Sequence, residues 1–533
     1  MTQPVERPLA GLIERFGAEG RLRGTRRGGR PVATAELASI DVRGITHDSR
    51  AVRSGMLFVA VPGQHQDGHD FVPAAVEAGA VEVIVETPLT GVAAPQVVVG
   101  AARPALASAA AWWYGDPSHE LTVVGITGTD GKTTTSYLAV AALEAAGRQT
   151  GMIGTIATRV GGRTGTNEVH ATTPEAPELQ ATLRAMVDAG DRVAVIETTS
   201  HALALERVAS LAYDVAILTN VTHEHLELHG TWEAYRGAKL SLFDGLRSAR
   251  QVTKPDPLTA TAIVNLDDPS AGLFIGTARD AGARVVTYGT EGAADVRATR
   301  VAEDGRGIHA DIDAPGGAAT LDLRLAGRFN VHNALAVVAL GEALGLDPTA
   351  VRDGMAGLEV VPGRMERVDV GQPFGVIVDF AHSPASLATV LDLLAPAAAA
   401  RGGGLITVFG SAGERDTAKR PQMGRIAGER ARLVVVTDED PRGEDRQAIL
   451  DEIARGAETA GRRRGHDLLL IADRRDAIAA AFEAARPGDI VLLAGKGHER
   501  SIIGPDGERP WDERAVAEEL LAAMGHAGAD RPA

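Results

Sequence analysis

Short apolar runs rich in valine and isoleucine recur from end to end of this chain, most of them closed by a polar or glycine-rich cluster. Between them lie apolar-rich stretches of helical length. That rhythm predicts strands buried on both faces and joined by helices, as in the parallel sheets of α/β proteins. The first ~20 residues read as a helix, followed by a basic, glycine-rich loop, RLRGTRRGGRP. GMLFVAV, VEVIVET and PQVVVG then read as strands, with FVPAAVEAGA and a tryptophan-containing segment ending near Tyr114 as helices. Asp116 and Pro117 punctuate a linker. After it come LTVVGI, RVAVIETTS, YDVAILTNVT and TAIVNLDD, apolar strands with polar ends. From Val361 onward, FGVIVDFAHSP, GGLITVFGSAGERD, ARLVVVTDEDPR, DLLLIADRRD and GDIVLLAGKGHE predict a second open, mostly parallel sheet.

At 533 residues the chain is too long for one core, and roughly 150 residues per domain suggests three. The linker and the strand groups place them at 1–118, 119–360 and 361–533. They read as a small α/β unit, a central parallel-sheet unit and a C-terminal Rossmann-like α/β unit. A hydrophobic content of 44% and a mean hydropathy of −0.02 describe a soluble globular protein. No apolar run approaches the ~20 residues of a membrane span, so no membrane insertion is expected. The acidic N-terminal stretch lacks the apolar region of a secretory signal. The lack of cysteine excludes disulfides, thiolate catalysis and cysteine-bound zinc. A cytoplasmic protein is expected. A formal charge of −16 argues against nucleic-acid binding, so any anionic substrate must be held by local cations and helix N-termini.

Candidate chemistry centres on TGTDGKTTT, which stands between the LTVVGI strand and an apolar-rich helix. Strand, glycine loop, Lys-Thr and helix N-terminus form a phosphate cradle, with Gly128, Thr129, Asp130, Gly131, Lys132, Thr133 and Thr134 in place to hold a nucleotide. Lys132 can reach the terminal phosphates, and the Thr133 hydroxyl suits Mg²⁺. The strict P-loop pattern is missed by one position, because Ile126 stands where its first glycine belongs. Ligands of doubly wound sheets gather at the carboxyl ends of strands, where Asp130, Glu197, Asn220 and Asp267 fall. Glu197 reads as a Walker-B-like carboxylate. The cluster THEHLELHG misses the H-E-x-x-H zinc pattern, since Leu226 occupies the second histidine position, and it reads as loop and hydrogen-bonding chemistry. His225 and His229 share a face if that segment is helical. Lys239 on its helix reads as a solvated surface residue. Arg415, Arg420, Arg442 and Arg474 supply a strand-end rim suited to carboxylates and phosphates.

The motifs TGTDGKTTT, ETTSHAL, TNVTHEHLELHGTWEAYRGAKLSLF, NLDD, GRFNVHNALA, PGRMERV, DFAHSP, ERDTAKRPQMG, DEDPR and GKGHE occur in an order that resembles the Mur ligase family. With HDSRAVRSGMLFVAVPGQHQDGHDF added, the resemblance covers nearly the whole chain. It implies an ATP-dependent, Mg²⁺-requiring amide ligase that adds a diamino acid to the D-glutamate γ-carboxylate of UDP-MurNAc-L-Ala-D-Glu in peptidoglycan synthesis; a monomer is favoured, with the oligomeric state left open by the sequence. By the same resemblance, Lys132, Glu197, His225 and Lys239 are catalytic. Thr133, Glu197, His225 and Lys239 hold the metal, with Lys239 as its CO₂ adduct, N6-carboxylysine. Asn330 and Asn333 approach the adenine, and Arg364 and Asp379 approach the phosphates and ribose. The UDP-sugar peptide falls on Ser49, Gln64, His65, Gln66, Thr172, Thr173, Thr199 and Arg207. The incoming amino acid meets Arg420, Asp440, Arg442, Gly495 and Glu499. Asp440 stands in DEDPR where many relatives that take diaminopimelate carry asparagine. Its added anion favours lysine or ornithine, while Arg442 keeps diaminopimelate open. Two other readings share parts of this pattern: a folylpolyglutamate-type ligase, and a nucleotide-binding scaffold without catalysis.

Overall fold

The computed structural model describes residues 6–63, 66–167, 171–222, 226–249, 251–304 and 307–526. Their larger sheets occupy three successive stretches of sequence and carry separate cores. The first sheet has the strand order Arg30–Val32, Leu22–Arg27, Gln96–Val99, Glu82–Val85, Met56–Val59, Gly44–Thr46. Its last four strands are parallel, as their apolar runs predict. The basic segment expected as a loop is instead an antiparallel hairpin, with Arg27 opposite Arg30. Gly28 and Gly29 carry φ of 57° and 78°, the left-handed pair that a two-residue hairpin turn requires. The arginines suit an edge that must stay solvated.

The central sheet contains eleven strands among the described residues. Thr122–Thr127 lies between Val193–Glu197 and Val215–Leu218, parallel to both. The chain therefore winds away from this strand in both directions, and the phosphate loop leaves its carboxyl end at the switch point of the sheet. One flank ends in the antiparallel pair Ala157–Val160 and Arg163–Thr166. The other extends through Thr261–Asn265 and Arg284–Gly289 to the antiparallel ribbon Val296–Asp304, Gly307–Ala314 and Gly317–Leu323. Helices cover both faces. Lys132–Ala145 and Asn330–Ala343 pack on one side around Val124, Ile126 and Ile217, and Ala176–Asp188 and Trp232–Asp244 pack on the other around Val123, Ile196 and Leu218.

The third sheet runs Glu366–Val368, Gly375–Asp379, Ile490–Ala494, Leu405–Phe409, Leu433–Val436, Leu468–Leu470. The five expected strands are there and parallel, with the short Glu366–Val368 added antiparallel at one edge. Among the described residues no helix is long and apolar enough to cross a membrane.

Candidate active site

The site is assembled from the phosphate loop outward. Gly131 caps the helix Lys132–Ala145 with φ of 84°, so the loop's N–H groups and the positive helix end converge on one point. Gly128 has φ of 151°, and a Cβ there would run into Thr219 Oγ1. Asn220 fixes the loop from the side: its Oδ1 accepts from the Asp130 N–H at 3.0 Å and its Nδ2 donates to the Asp130 carbonyl at 3.1 Å. Lys132 curls over the loop and donates to the carbonyls of Gly128 at 2.9 Å and Thr129 at 2.7 Å.

Glu197, fully buried at the end of Val193–Glu197, faces the loop across the switch point. Its Oε2 accepts from Thr133 Oγ1 and from Thr155 Oγ1, both at 2.9 Å, and its Oε1 accepts from the Thr155 N–H at 3.0 Å. A carboxylate and two hydroxyls beside a phosphate loop form an oxygen donor set suited to a hard cation such as Mg²⁺. Thr155 carried no signal in the sequence; it follows a short apolar strand with nothing to mark it.

Lys239 corrects the surface reading. The helix Trp232–Asp244 turns it inward, where it is 1% exposed and donates to the Gly128 carbonyl at 2.7 Å. Its Nζ stands 4.5 Å from the centroid of the Tyr235 ring, whose hydroxyl meets Thr129 Oγ1 at 3.0 Å. Lys132 and Lys239 thus meet on one carbonyl oxygen. His225 lies outside the described residues, as do Gln64 and His65. His229, in the short helix Leu226–His229, meets the Tyr235 ring edge to face with centroids 5.3 Å apart.

Two clefts open from the loop. The first, about 680 Å³, runs to the C-terminal sheet and is lined by Thr129 to Thr134, Thr155, Thr172 and Thr199 on one side, and by Arg415, Asp440, Arg442, Lys496, His498 and Glu499 on the other. The second, about 520 Å³, is lined by Asn220, Asp267, Phe329, Asn330, His332, Asn333 and Asp379. Asp130, Gly131, Thr134 and Arg364 line both. Arg364, at the start of the C-terminal unit, reaches Thr133 Oγ1 at 3.4 Å and lies over the Phe380 ring at 4.7 Å. Asp379 is buried at its strand end and accepts from the N–H groups of Met365 and Ala381, and burial raises its carboxyl above the ordinary range.

Asn330 and Asn333 are engaged within the protein. Asn333 accepts from Thr135 Oγ1 at 3.2 Å and donates to Asn330 Oδ1 at 2.8 Å, and Asn330 donates to the Ala326 carbonyl at 2.7 Å. They brace the loop from beneath, where Asn333 Oδ1 would meet any Cβ on Gly131. Thr173 donates to the Glu197 carbonyl at 2.6 Å, and Arg207 donates to the Thr173 carbonyl at 3.0 Å while pairing with Glu175 at 2.7 Å. Arg207 therefore shapes the threonine turn and is not among the lining residues. Ser49 and Gln66 follow the carboxyl ends of the neighbouring parallel strands Gly44–Thr46 and Met56–Val59, at one edge of the N-terminal sheet.

The arginine rim divides. Arg442 and Arg415 line the first cleft. Arg420 is buried against Glu444 and Glu452, at 2.7 and 2.9 Å, and its hydrogen bonds pull the Glu444 carboxyl down to about 2. Arg474 is buried against Glu513 at 2.6 Å and also donates to the carbonyls of Asp438 and Ala494. These two are struts. Asp440 is also engaged, accepting from Lys496 at 2.8 Å and from the Ile503 N–H at 3.0 Å. Lys496 reaches Glu499 at 2.5 Å as well. Burial, with Glu439 and Asp440 nearby and Lys496 opposing, pushes the Glu499 carboxyl up to about 7. Gly495, with φ of 101°, lets the chain turn beneath Glu439.

Three family models match this chain in sequence order: the Mur ligase family catalytic domain over residues 41–111, the Mur ligase middle domain over 126–341, and the Mur ligase glutamate ligase domain over 363–497. The chain belongs to the Mur ligase family. A Roseiflexus sp. (strain RS-1) relative, a UDP-N-acetylmuramyl-tripeptide synthetase, is 48% identical, covering 92% of this chain and 96% of its own. A Geobacter metallireducens relative, a UDP-N-acetylmuramoyl-L-alanyl-D-glutamate--2,6-diaminopimelate ligase, is 42% identical over 91% of this chain and 94% of its own. A solved structure of a ligase with that same name superposes with a TM-score of 0.63 at 30% identity, covering 93% of this chain and 98% of that one. In this Mur ligase, the clefts on either side of the phosphate loop lie between the middle and glutamate ligase domains.

Proposed function

We propose that this Mur ligase couples ATP cleavage to amide formation between the D-glutamate γ-carboxylate of UDP-MurNAc-L-Ala-D-Glu and an amino group of meso-diaminopimelate, in cytoplasmic peptidoglycan synthesis. The observation that carries this reading is the meeting of two clefts at one phosphate loop, with Asp130, Gly131, Thr134 and Arg364 lining both, and Lys132 and Thr133 lining the first, where Thr133 donates to the buried Glu197 and meets Arg364. In this reading 1–118 holds the UDP-sugar, 119–360 the nucleotide and 361–533 the incoming amino acid.

The residues divide the work. The phosphate loop and the Lys132–Ala145 helix end hold the ATP phosphates in the second cleft, with the γ-phosphate at the junction. Lys132 leaves its loop carbonyls for the phosphoryl oxygens, and Arg364 brings a second cation from the opposite domain. The peptide γ-carboxylate, laid along Thr172 and Thr199, attacks that phosphorus to give an acyl phosphate and ADP. The free amine of the amino acid then attacks the acyl carbon and phosphate departs. Thr133 and Glu197 would hold one Mg²⁺, and His225 with a carbamylated Lys239 would hold a second; bound there, such ions would supply positive charge opposite the phosphoryl oxygens. Two ammonium groups on one Gly128 carbonyl support the carbamate: adding CO₂ to Lys239 replaces a repelling cation by an anionic oxygen ligand.

For the amino acid, the engagement of Asp440 changes the balance drawn from sequence. Its charge is offset by Lys496, so it no longer argues for an ammonium, while Arg442 lines the cleft with its Nε buried and without a hydrogen-bond partner among the described residues. A guanidinium there fits the second carboxylate of diaminopimelate. Phosphate release from ATP, measured with the UDP-dipeptide and with meso-diaminopimelate, lysine or ornithine, tests both levels. Release should require both acceptor and amino acid, with kcat/KM at least tenfold higher for diaminopimelate. A preference for lysine or ornithine would overturn the amino-acid assignment, and no coupled release would overturn the reaction.

A further inference from the structure

His332 stands on the helix Asn330–Ala343, between the two asparagines that brace the phosphate loop, and lines the second cleft. Its Nε2 lies 2.8 Å from Asp267 Oδ2. That oxygen also accepts from the Thr290 N–H at 2.7 Å and from Thr290 Oγ1 at 2.9 Å, while Asp267 Oδ1 accepts from the Glu291 N–H at 3.1 Å. Burial opposes its charge, but the donors from Thr290 and His332 hold the Asp267 carboxyl below its ordinary value. An ionised carboxylate only accepts hydrogen bonds, so the proton between the two groups sits on Nε2. In a neutral imidazole the other nitrogen is then an acceptor. Nδ1 has no hydrogen-bond partner among the described residues and is not a buried atom, so it is open on a ring that faces the cleft.

We propose that His332, held in this tautomer by Asp267, reads the six-position of the purine. Its Nδ1 accepts a hydrogen bond from the exocyclic amine of adenine and faces the carbonyl oxygen of guanine or hypoxanthine acceptor to acceptor. This rests on the assignment of the second cleft to the nucleotide. The role differs from that of Asn330 and Asn333, whose side-chain bonds are made inside the protein. The carboxylate frame around Asp267 fixes the orientation of the ring, since a flip would set an unprotonated nitrogen against the carboxylate, and the acceptor at Nδ1 belongs to the neutral ring.

The test compares the full-length protein with His332→Phe, which keeps a flat ring and removes the nitrogen, and with His332→Gln, whose amide oxygen can still accept. Binding of Mg·ADP and Mg·IDP is measured by calorimetry, and kcat/KM is measured with ATP, ITP and the triphosphate of unsubstituted purine riboside. The wild-type protein should prefer ADP to IDP by roughly tenfold or more, the scale of one hydrogen bond exchanged for a clash of acceptors. The phenylalanine variant should narrow that ratio to about threefold or less, with the loss appearing in KM for ATP, and the glutamine variant should restore part of it. The riboside lacking both amine and carbonyl loses the hydrogen bond without meeting a clash, and should fall between ATP and ITP with the wild type. An undiminished ratio in His332→Phe, or equal binding of ADP and IDP by the wild type, would overturn the proposal. Because the binding arm needs no ligation, a protein that prefers ADP but never forms amide would contradict the proposed reaction and leave this inference standing. Thermal melting of each variant checks that the helix still folds; a variant that melts early is judged on binding at a lower temperature.

Discussion

Lys132 and Lys239 converge on the Gly128 carbonyl from helices on opposite faces of the central sheet, and their replacements should fail in different ways. Lys132→Met removes a cation aimed at the phosphoryl oxygens, and kcat should fall by about 10²–10³ while the melting temperature stays within a few degrees. Lys239→Ala should lose activity to a similar degree, but formate or acetate should restore part of it by standing in for the carbamate oxygens. A Lys239→Ala protein of full activity, untouched by added acids, would defeat the carbamate assignment. Glu499 supplies a pH dependence. Its carboxyl is raised to about 7 in the folded protein, so its contribution to stability is fully present below the ordinary glutamate range and is lost as pH rises from there through about 7. Glu499→Gln should therefore raise the melting temperature more at pH 8 than at pH 5.

At the scale of elements, the pair of Arg474 with Glu513 ties the ends of two parallel strands to the C-terminal helix Glu513–Ala523. Arg474→Met leaves a buried carboxylate without its cation and should cost about 3–5 kcal/mol in urea unfolding. The same pair marks the boundary of what sequence reveals. Strand ends and the phosphate loop were readable because apolar runs, glycines and turn residues act locally. Arg420, Arg474 and Lys239 were not, because an isolated charged residue looks alike whether it faces water or a partner tens of residues away. The first two became struts and the third moved from the surface to the centre. The basic hairpin hid behind arginines that pointed to a loop, although Gly-Gly between two short runs was its signal. The ribbon from Val296 to Leu323 is legible only in part, through the alternation in GIHADIDA that suits a strand with one face covered.

For the whole molecule, the contact of Arg364 with Thr133 joins the C-terminal unit to the phosphate loop. Nucleotide should draw these units together, and a saturating concentration of Mg·ADP near a hundred times its Kd should stabilise the protein by about 2.7 kcal/mol. Thermal shift with and without nucleotide measures this, and Arg364→Ala should shrink the shift while leaving the ligand-free melting temperature nearly unchanged. Three domains in a row were legible from the spacing of strand groups, but their mutual placement was not, since it depends on single side chains reaching across.

Asp130, Gly131, Thr134 and Arg364 belong to the walls of both clefts. Two fragments, one seated on each side of that common wall, lie close enough for a short tether to join them. Once one end had docked, the other would be confined near its seat at millimolar effective concentration, and the joined compound should outbind either half by 10²–10⁴. A lengthening series of tethers would then serve as a ruler for the passage between the two chambers.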